Sequence, residues 1–141
     1  MILTEEQKQR ITKACVVEYQ NDIKERKKLG QFFTPAELII KMIEKFDNLD
    51  GTFLDPCAGS GQLLVGLIMA GVDPNNIYYN ELDINEFETG KKRLMALGVP
   101  ENHFTNFDVF SKEFEEYYQV GLLLCRQNRL HHPASEKRGA R

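Results

Sequence analysis

A chain of 141 residues is one domain with room for a sizeable core, and 42% hydrophobic with 28% charged residues is an ordinary globular balance. No apolar run approaches the roughly 18 residues of a membrane span, the N-terminus MILTEEQKQR has no signal-peptide core, and Cys15, Cys57 and Cys125 are too scattered for a disulfide framework or a zinc pair. The expectation is a reduced, cytoplasmic protein without a metal; its formal charge of −3 excludes a free-standing non-specific nucleic-acid binder and leaves a small-cofactor domain open.

In chain order, Thr4 and Gln7 have capping-box spacing, and Ile11, Ala14, Cys15, Val17 and Ile23 mark an imperfect apolar face of a helix reaching about Lys28. Gly30 to Pro35 predicts a loop. A second helix follows, with Thr34 as N-cap, Pro35 at its first position and Glu37 closing a capping box. Its buried stripe is predicted as Leu38, Ile39, Met42, Ile43 and Phe46. Thr52 to Leu54 reads as a short strand ending at Asp55, Pro56 to Gly61 as a small-residue loop, and Gln62 to Ala70 as an apolar helix ended by Gly71. A turn at Asp73 to Asn76 leads to a strand Ile77 to Asn80, then Glu81, then a helix from about Asn85 to Leu97. A third strand is expected around Phe104 to Val109 and a fully buried fourth over Val120 to Cys125. Strands alternating with helices predict an α/β fold with a parallel sheet in the order 3-2-1-4.

The charge is uneven. Residues 1–120 hold 13 basic and 20 acidic side chains, and residues 121–141 hold five basic and one acidic. Three parts follow from the pattern: N-terminal helices over 1–50, a cofactor-binding part over 51–125, and a basic tail over 126–141 expected to be disordered.

The chemistry concentrates in Asp55-Pro56-Cys57-Ala58-Gly59-Ser60-Gly61, a glycine loop between a strand and a helix. Leu64 stands where a dinucleotide fingerprint needs its third glycine, which disfavours a pyrophosphate ligand and a nucleotide-dependent oxidoreductase. Asp55 at the strand end suits an ammonium group, Glu81 at the next strand end suits the two hydroxyls of a ribose, and Asp108 at the third lies near where a base would sit. A ligand with a cation, a ribose and a base but no phosphate fits S-adenosylmethionine. Cys57 sits in this loop as a small packing residue rather than a nucleophile. His131 and His132 lack partners at metal-ligand spacing, and the Lys24, Arg26, Lys27, Lys28 cluster reads as a solvated helix end, with a DNA-phosphate contact as the alternative.

Gly30-Gln31-Phe32-Phe33-Thr34-Pro35 resembles motif X of the N6-adenine DNA methyltransferases, and Asp55 to Gly61 resembles their motif I. Tyr79-Asn80-Glu81-Leu82-Asp83 resembles motif II, and Asn106-Phe107-Asp108-Val109-Phe110 resembles motif III. The resemblance covers about residues 28–120. It implies the cofactor-binding half of a Rossmann-like S-adenosylmethionine-dependent methyltransferase fold, acting on adenine N6 in DNA. By this resemblance Phe33 and Thr34 hold the methionine end of the cofactor, and Asp55 with the backbone of Ala58 and Gly59 binds its amino and carboxylate groups. Glu81 takes the ribose, Leu82 packs on the adenine and Asp108 accepts from the adenine amino group. Pro56, Gly61 and Val109 belong to the same candidate set as members of motifs I and III.

The family's catalytic Asn/Asp/Ser-Pro-Pro-Tyr/Phe motif is expected at the end of the fourth strand, where Gly121-Leu122-Leu123-Leu124-Cys125-Arg126 stands instead. The five prolines include no adjacent pair. The expectation is therefore a truncated form whose residues 121–141 are foreign to the family, as after a truncation or a frame change, and which is inactive alone. The alternative is a non-catalytic cofactor-binding module or subunit completed by a partner. Half a sheet leaves a central strand as an edge, which favours self-association or a partner subunit.

Overall fold

The computed structural model describes residues 1–15 and 34–119. Helix α1 is Glu5–Ala14, α2 Ala36–Ile43, β1 Phe53–Asp55, α3 Gln62–Ala70, β2 Ile77–Asn80, α4 Ile84–Ala96, β3 Phe104–Thr105 and α5 Lys112–Gln119, with single 3-10 turns at Pro74–Asn76 and Glu101–His103. The rest of the predicted first helix (Val17, Ile23 and the basic cluster Lys24 to Lys28), Phe32, Phe33, the predicted fourth strand, His131 and His132 lie outside the described residues.

The three strands form one parallel sheet in the order β1-β2-β3, with Phe53 opposite Ile77, Asp55 opposite Tyr79, and Tyr79 opposite Phe104. This matches the 3-2-1 part of the predicted order. Alternation sends Phe53, Ile77, Tyr79 and Phe104 to one face, where they join Leu64, Val65, Leu67 and Leu94 in a core that also contains Leu3, Ile11, Ile39 and Ile43. Helices α1 and α2 both lie on α3. The close approach of α2 depends on Gly66, where a Cβ would collide with Ile39. The opposite face carries Asn80 and Thr105, and Tyr118 of α5 reaches Thr105 Oγ1 through its hydroxyl at 2.5 Å. Helices therefore cover both faces.

Several local predictions hold. The Thr4–Gln7 capping box forms with both of its bonds, at 2.8 and 3.1 Å. Helix α3 has the predicted limits, with Gly71 closing it at φ +115°. The helix predicted from about Asn85 to Leu97 forms as α4, within one residue at each end.

Others need correction. Helix α2 has Pro35, not Thr34, at its N-cap, and no side-chain capping bond forms. Pro35 is extended at ψ 152° and its carbonyl accepts from Leu38 and Ile39, which leaves Thr34 one residue outside the helix. The buried stripe of α2 is narrower than predicted. Ile39 and Ile43 are fully buried, while Leu38 and Met42 are 47% and 39% exposed. Strand β3 stops at Thr105, so Asp108 and Val109 belong to a turn and not to a strand end. The reason is side-chain competition with the ladder. The Glu81 amide makes the last backbone bond, to Thr105 O, and beyond it the Phe107 amide and carbonyl are both taken by the Asn80 side chain at 2.9 Å. Helix α5 is absent from the predicted elements. Its start is marked by Ser111, whose Oγ accepts from the Phe114 amide at 3.1 Å.

Candidate functional site

The loop between β1 and α3 lies at the carboxyl rim of the sheet, where an open parallel sheet presents its ligand-binding edge. Gly59 at φ +54° and Gly61 at φ +83° are left-handed, so both turns favour glycine. The loop satisfies most of its own polar groups. Cys57 N donates to Asp55 Oδ1 at 3.1 Å, Ala58 N to Asn80 O at 3.0 Å, and Gly61 N to Ala58 O at 2.8 Å. Gly59 N donates to Glu81 Oε1 at 2.9 Å, while the other oxygen of Glu81 accepts from Asp83 N at 3.0 Å. Glu81 thus ties the glycine loop to the start of α4. The amides of Ala58 and Gly59, assigned by resemblance to a ligand, are both engaged within the protein. What this loop offers outward is a rigid floor free of bulky side chains. A Cβ on Gly59 would lie 4.0 Å from both Glu81 Oε1 and Glu86 Oε2.

Tyr79 supports the loop from below. It is fully buried, and its hydroxyl lies 2.5 Å from Gly59 O and 3.0 Å from Glu86 O. With one proton to give, it donates to the nearer carbonyl. Burial, reinforced by the charges of Glu81 and Glu86, pushes its pKa up, so it stays a neutral donor.

Asp55 ends β1 half-buried under the loop. Burial holds its carboxyl above the ordinary range, the Cys57 amide pulls it down, and the neighbouring Glu81 charge raises it again. A cation placed beside this pair is stabilised by both carboxylates; a phosphate is repelled by both. The donor set therefore fits a ligand with an ammonium group. The exposed Cys57 thiol is pushed up by burial and by the charges of Asp55 and Glu81, the reverse of what an activated nucleophile needs.

The other candidates are spread along the same rim. Pro56 is half-buried, its carbonyl accepting from Asn80 Nδ2 at 2.9 Å. Leu82 is 59% exposed on the turn after β2. Asn106 Nδ2 donates to the Glu81 and Leu82 carbonyls, at 2.5 and 3.0 Å, and so ties that turn to the loop after β3. Asp108 is exposed; its Oδ1 accepts from Phe110 N at 2.9 Å, and Val109 beside it is half-buried. Thr34 is half-buried and its carbonyl accepts from Gln62 Nε2 at 3.2 Å; Phe33 lies outside the described residues.

Two positioning side chains escape a sequence reading. Gln62, at the first position of α3 and 5% exposed, donates to Cys15 O at 3.1 Å as well as to Thr34 O. It thereby joins the C-terminal end of α1 and Thr34 to the start of α3, directly after the glycine loop. Asn80 is the other. The available signal was one polar residue closing the otherwise apolar strand Ile77-Tyr78-Tyr79. Among the described residues, no group of three or more His, Cys, Asp or Glu is placed to hold a metal ion, and no helix is long and apolar enough to cross a membrane.

The family model described as N-6 DNA Methylase matches residues 17–94, more than half of the chain. The chain is 32% identical over 109 residues to the Type II methyltransferase M.VspI of Vibrio sp. (strain 343), a match covering 72% of this chain and 27% of that enzyme. The chain thus spans about a quarter of the length of this curated relative. No solved structure matches. By its family match and by this relative, the chain belongs to the N-6 DNA methylase family.

Proposed function

We propose that this chain is the S-adenosylmethionine-binding part of an adenine-N6 DNA methyltransferase with a Rossmann-like fold. The observation that supports this most is the convergence of Asp55 and Glu81 from adjacent parallel strands onto the Gly59 loop, with Gly59 N held on Glu81 at 2.9 Å. In this reading Asp55 receives the cofactor's ammonium group, Glu81 its ribose hydroxyls, Leu82 the face of its adenine and Asp108 the adenine amino group. Pro56, Ala58, Gly59 and Gly61 form the floor, Val109 flanks the base, and Phe33 and Thr34 close over the methionine end. Glu81 then exchanges at least part of its hold on the Gly59 amide for the ribose. Bound there, S-adenosylmethionine supplies an electrophilic methyl group on a sulfonium centre.

The remaining requirement is a set of acceptors for the amino protons of a flipped adenine and an aromatic ring to stack on it. The sequence has no adjacent prolines, so it has no Pro-Pro-aromatic segment of the kind that fills this role in the family. We therefore propose that the chain binds cofactor but does not transfer methyl groups alone; a partner polypeptide that completes the site is the second reading. Titration calorimetry on the purified chain tests the first part. Saturable S-adenosylmethionine binding is expected, weakened about tenfold or more by Asp55→Ala and by Glu81→Ala, with no displacement by NAD. A folded chain that takes up no S-adenosylmethionine overturns the proposal.

A further inference from the structure

The Asn80 side chain uses every hydrogen-bonding position it has. It is fully buried at the end of β2. Its Nδ2 donates to Pro56 O and to Phe107 O, both at 2.9 Å. Its Oδ1 accepts from Phe107 N at 2.9 Å and from Thr105 Oγ1 at 2.8 Å. Its own backbone carbonyl accepts from Ala58 N at 3.0 Å. A primary amide has two donor hydrogens and accepts twice at its oxygen, so the side chain is saturated. The proton count then orients the relay. Thr105 has one hydroxyl proton and two acceptors, Asn80 Oδ1 at 2.8 Å and the Tyr79 carbonyl at 3.3 Å, and gives it to the nearer; with either acceptor Thr105 is the donor. Tyr118, 2% exposed on α5, therefore donates to Thr105 Oγ1.

The partners of Asn80 lie in two different loops. Pro56 and Ala58 belong to the glycine loop after β1, and Phe107 immediately precedes Asp108 and Val109 in the loop after β3. Neither loop is linked to the other by the ladder, because β2 lies between β1 and β3. We infer that Asn80 is a positioning residue whose one side chain bonds both loops directly and so, alongside the route through Glu81 and Asn106, sets the spacing between them, and hence between the ammonium-binding and base-binding ends of the site, with Thr105 and Tyr118 fixing its orientation. The inference rests on the cofactor-binding reading above only for its effect on affinity; the coupling of the loops is a property of the protein itself.

The geometry explains why an amide is needed. A carboxylate of the same shape keeps the acceptor oxygen but turns a second oxygen toward two carbonyls. An apolar isostere leaves Pro56 O, Phe107 O and Phe107 N without their buried partner. Thr105→Val keeps the shape of the relay and removes the hydroxyl's contacts with Asn80 Oδ1, Tyr118 and the Tyr79 carbonyl.

The test uses the full chain, with Asn80→Asp, Thr105→Val and Thr105→Ser, and two readouts. Amide hydrogen exchange without ligand reports the coupling. In Asn80→Asp and Thr105→Val the amides of Phe107 and Ala58 are expected to exchange about tenfold faster or more, while the β1–β2 ladder amides keep their protection. Thr105→Ser, which retains the hydroxyl, is expected to behave as the parent. Titration with S-adenosylmethionine is expected to show about tenfold weaker binding for the first two variants and parental binding for the third. Unchanged exchange at Phe107 and Ala58 in Thr105→Val overturns the inference, as does loss of protection that is uniform over the sheet, which marks a general structural role. If Asn80→Asp does not fold, Thr105→Val against Thr105→Ser decides. If the parent chain binds no S-adenosylmethionine, the cofactor reading fails, and the exchange pattern still decides the coupling.

Discussion

Asp55 stands where the fold and the site make opposite demands. Burial and the nearby Glu81 charge hold its carboxyl above the ordinary range, and the Cys57 amide offsets only part of this. The folded chain therefore keeps this proton to a higher pH than the unfolded chain. Between the ordinary carboxylate pKa and the raised folded value, the folded state binds more protons, so stability falls as pH rises through that window. Below it, both states are protonated and Asp55 costs nothing. An amide at this position carries no charge to desolvate and can still accept from Cys57 N. Asp55→Asn is accordingly expected to raise the melting temperature at neutral pH, with the gain shrinking as pH falls to about 3. Melting curves across that range check the sign; a lower melting temperature at neutral pH contradicts it. The same substitution removes the counter-charge for an ammonium group and is expected to weaken S-adenosylmethionine binding about tenfold or more.

At the scale of elements, α4 and β2 meet through Gly90 and Tyr79. A Cβ on Gly90 would lie 2.6 Å from Tyr79 Cε2, inside van der Waals contact. The ring has nowhere to go, since it packs on Phe87 and Phe104 at centroid distances of 5.9 and 5.3 Å and its hydroxyl is anchored to Gly59 O. Replacing a helical glycine by alanine ordinarily gains up to about 1 kcal/mol in propensity. Overpacking costs about 1–3 kcal/mol, so Gly90→Ala is expected to destabilise by about 1–2 kcal/mol in urea unfolding. A stabilised variant would show the ring is not wedged. This contact was not legible in the sequence, because a glycine inside an amphipathic helix shows its partner only once the strand beneath it is known. Other elements were legible because their signals are local: the Thr4–Gln7 box, the Gly71 stop of α3, and the apolar strands ending in Asp55 and Asn80. The misses have different causes. The end of β3 is decided by a side chain from the neighbouring strand, whereas the N-cap of α2 and the start of α5 rest on local caps at Pro35 and Ser111. Asn80 takes the ladder groups of Phe107, and Gln62 takes the carbonyl of Thr34. The acidic rim itself was legible, since the α/β pattern places strand ends side by side; that the Ala58 and Gly59 amides are already engaged was not.

At the scale of the whole molecule, the proposed function assigns the described sheet one side of a transfer reaction. The candidate groups lie along the carboxyl rim of the sheet, where the acidic pair Asp55 and Glu81 favours a cation over a nucleic-acid backbone. Among the described residues β1 pairs with β2 alone, and the predicted fourth strand, expected beside it, lies outside the described residues. Methyl transfer to adenine needs acceptors that draw off the amino protons of the base and an aromatic partner for its ring, held within reach of the cofactor. The sequence contains no adjacent prolines to build the family's version of that arrangement, and the chain matches 27% of the length of its curated relative. The purified chain is therefore expected to bind S-adenosylmethionine and yet incorporate no radiolabelled methyl group into unmethylated DNA above the level of an Asp55→Ala control. Methyl incorporation abolished by Asp55→Ala would mean that the chain supplies its own acceptors. Incorporation that appears only when a second polypeptide is added, and is again lost with Asp55→Ala, would identify that polypeptide as the source of the base-binding half. The Asp55→Ala arm matters because it separates transfer through this rim from transfer by a contaminating enzyme.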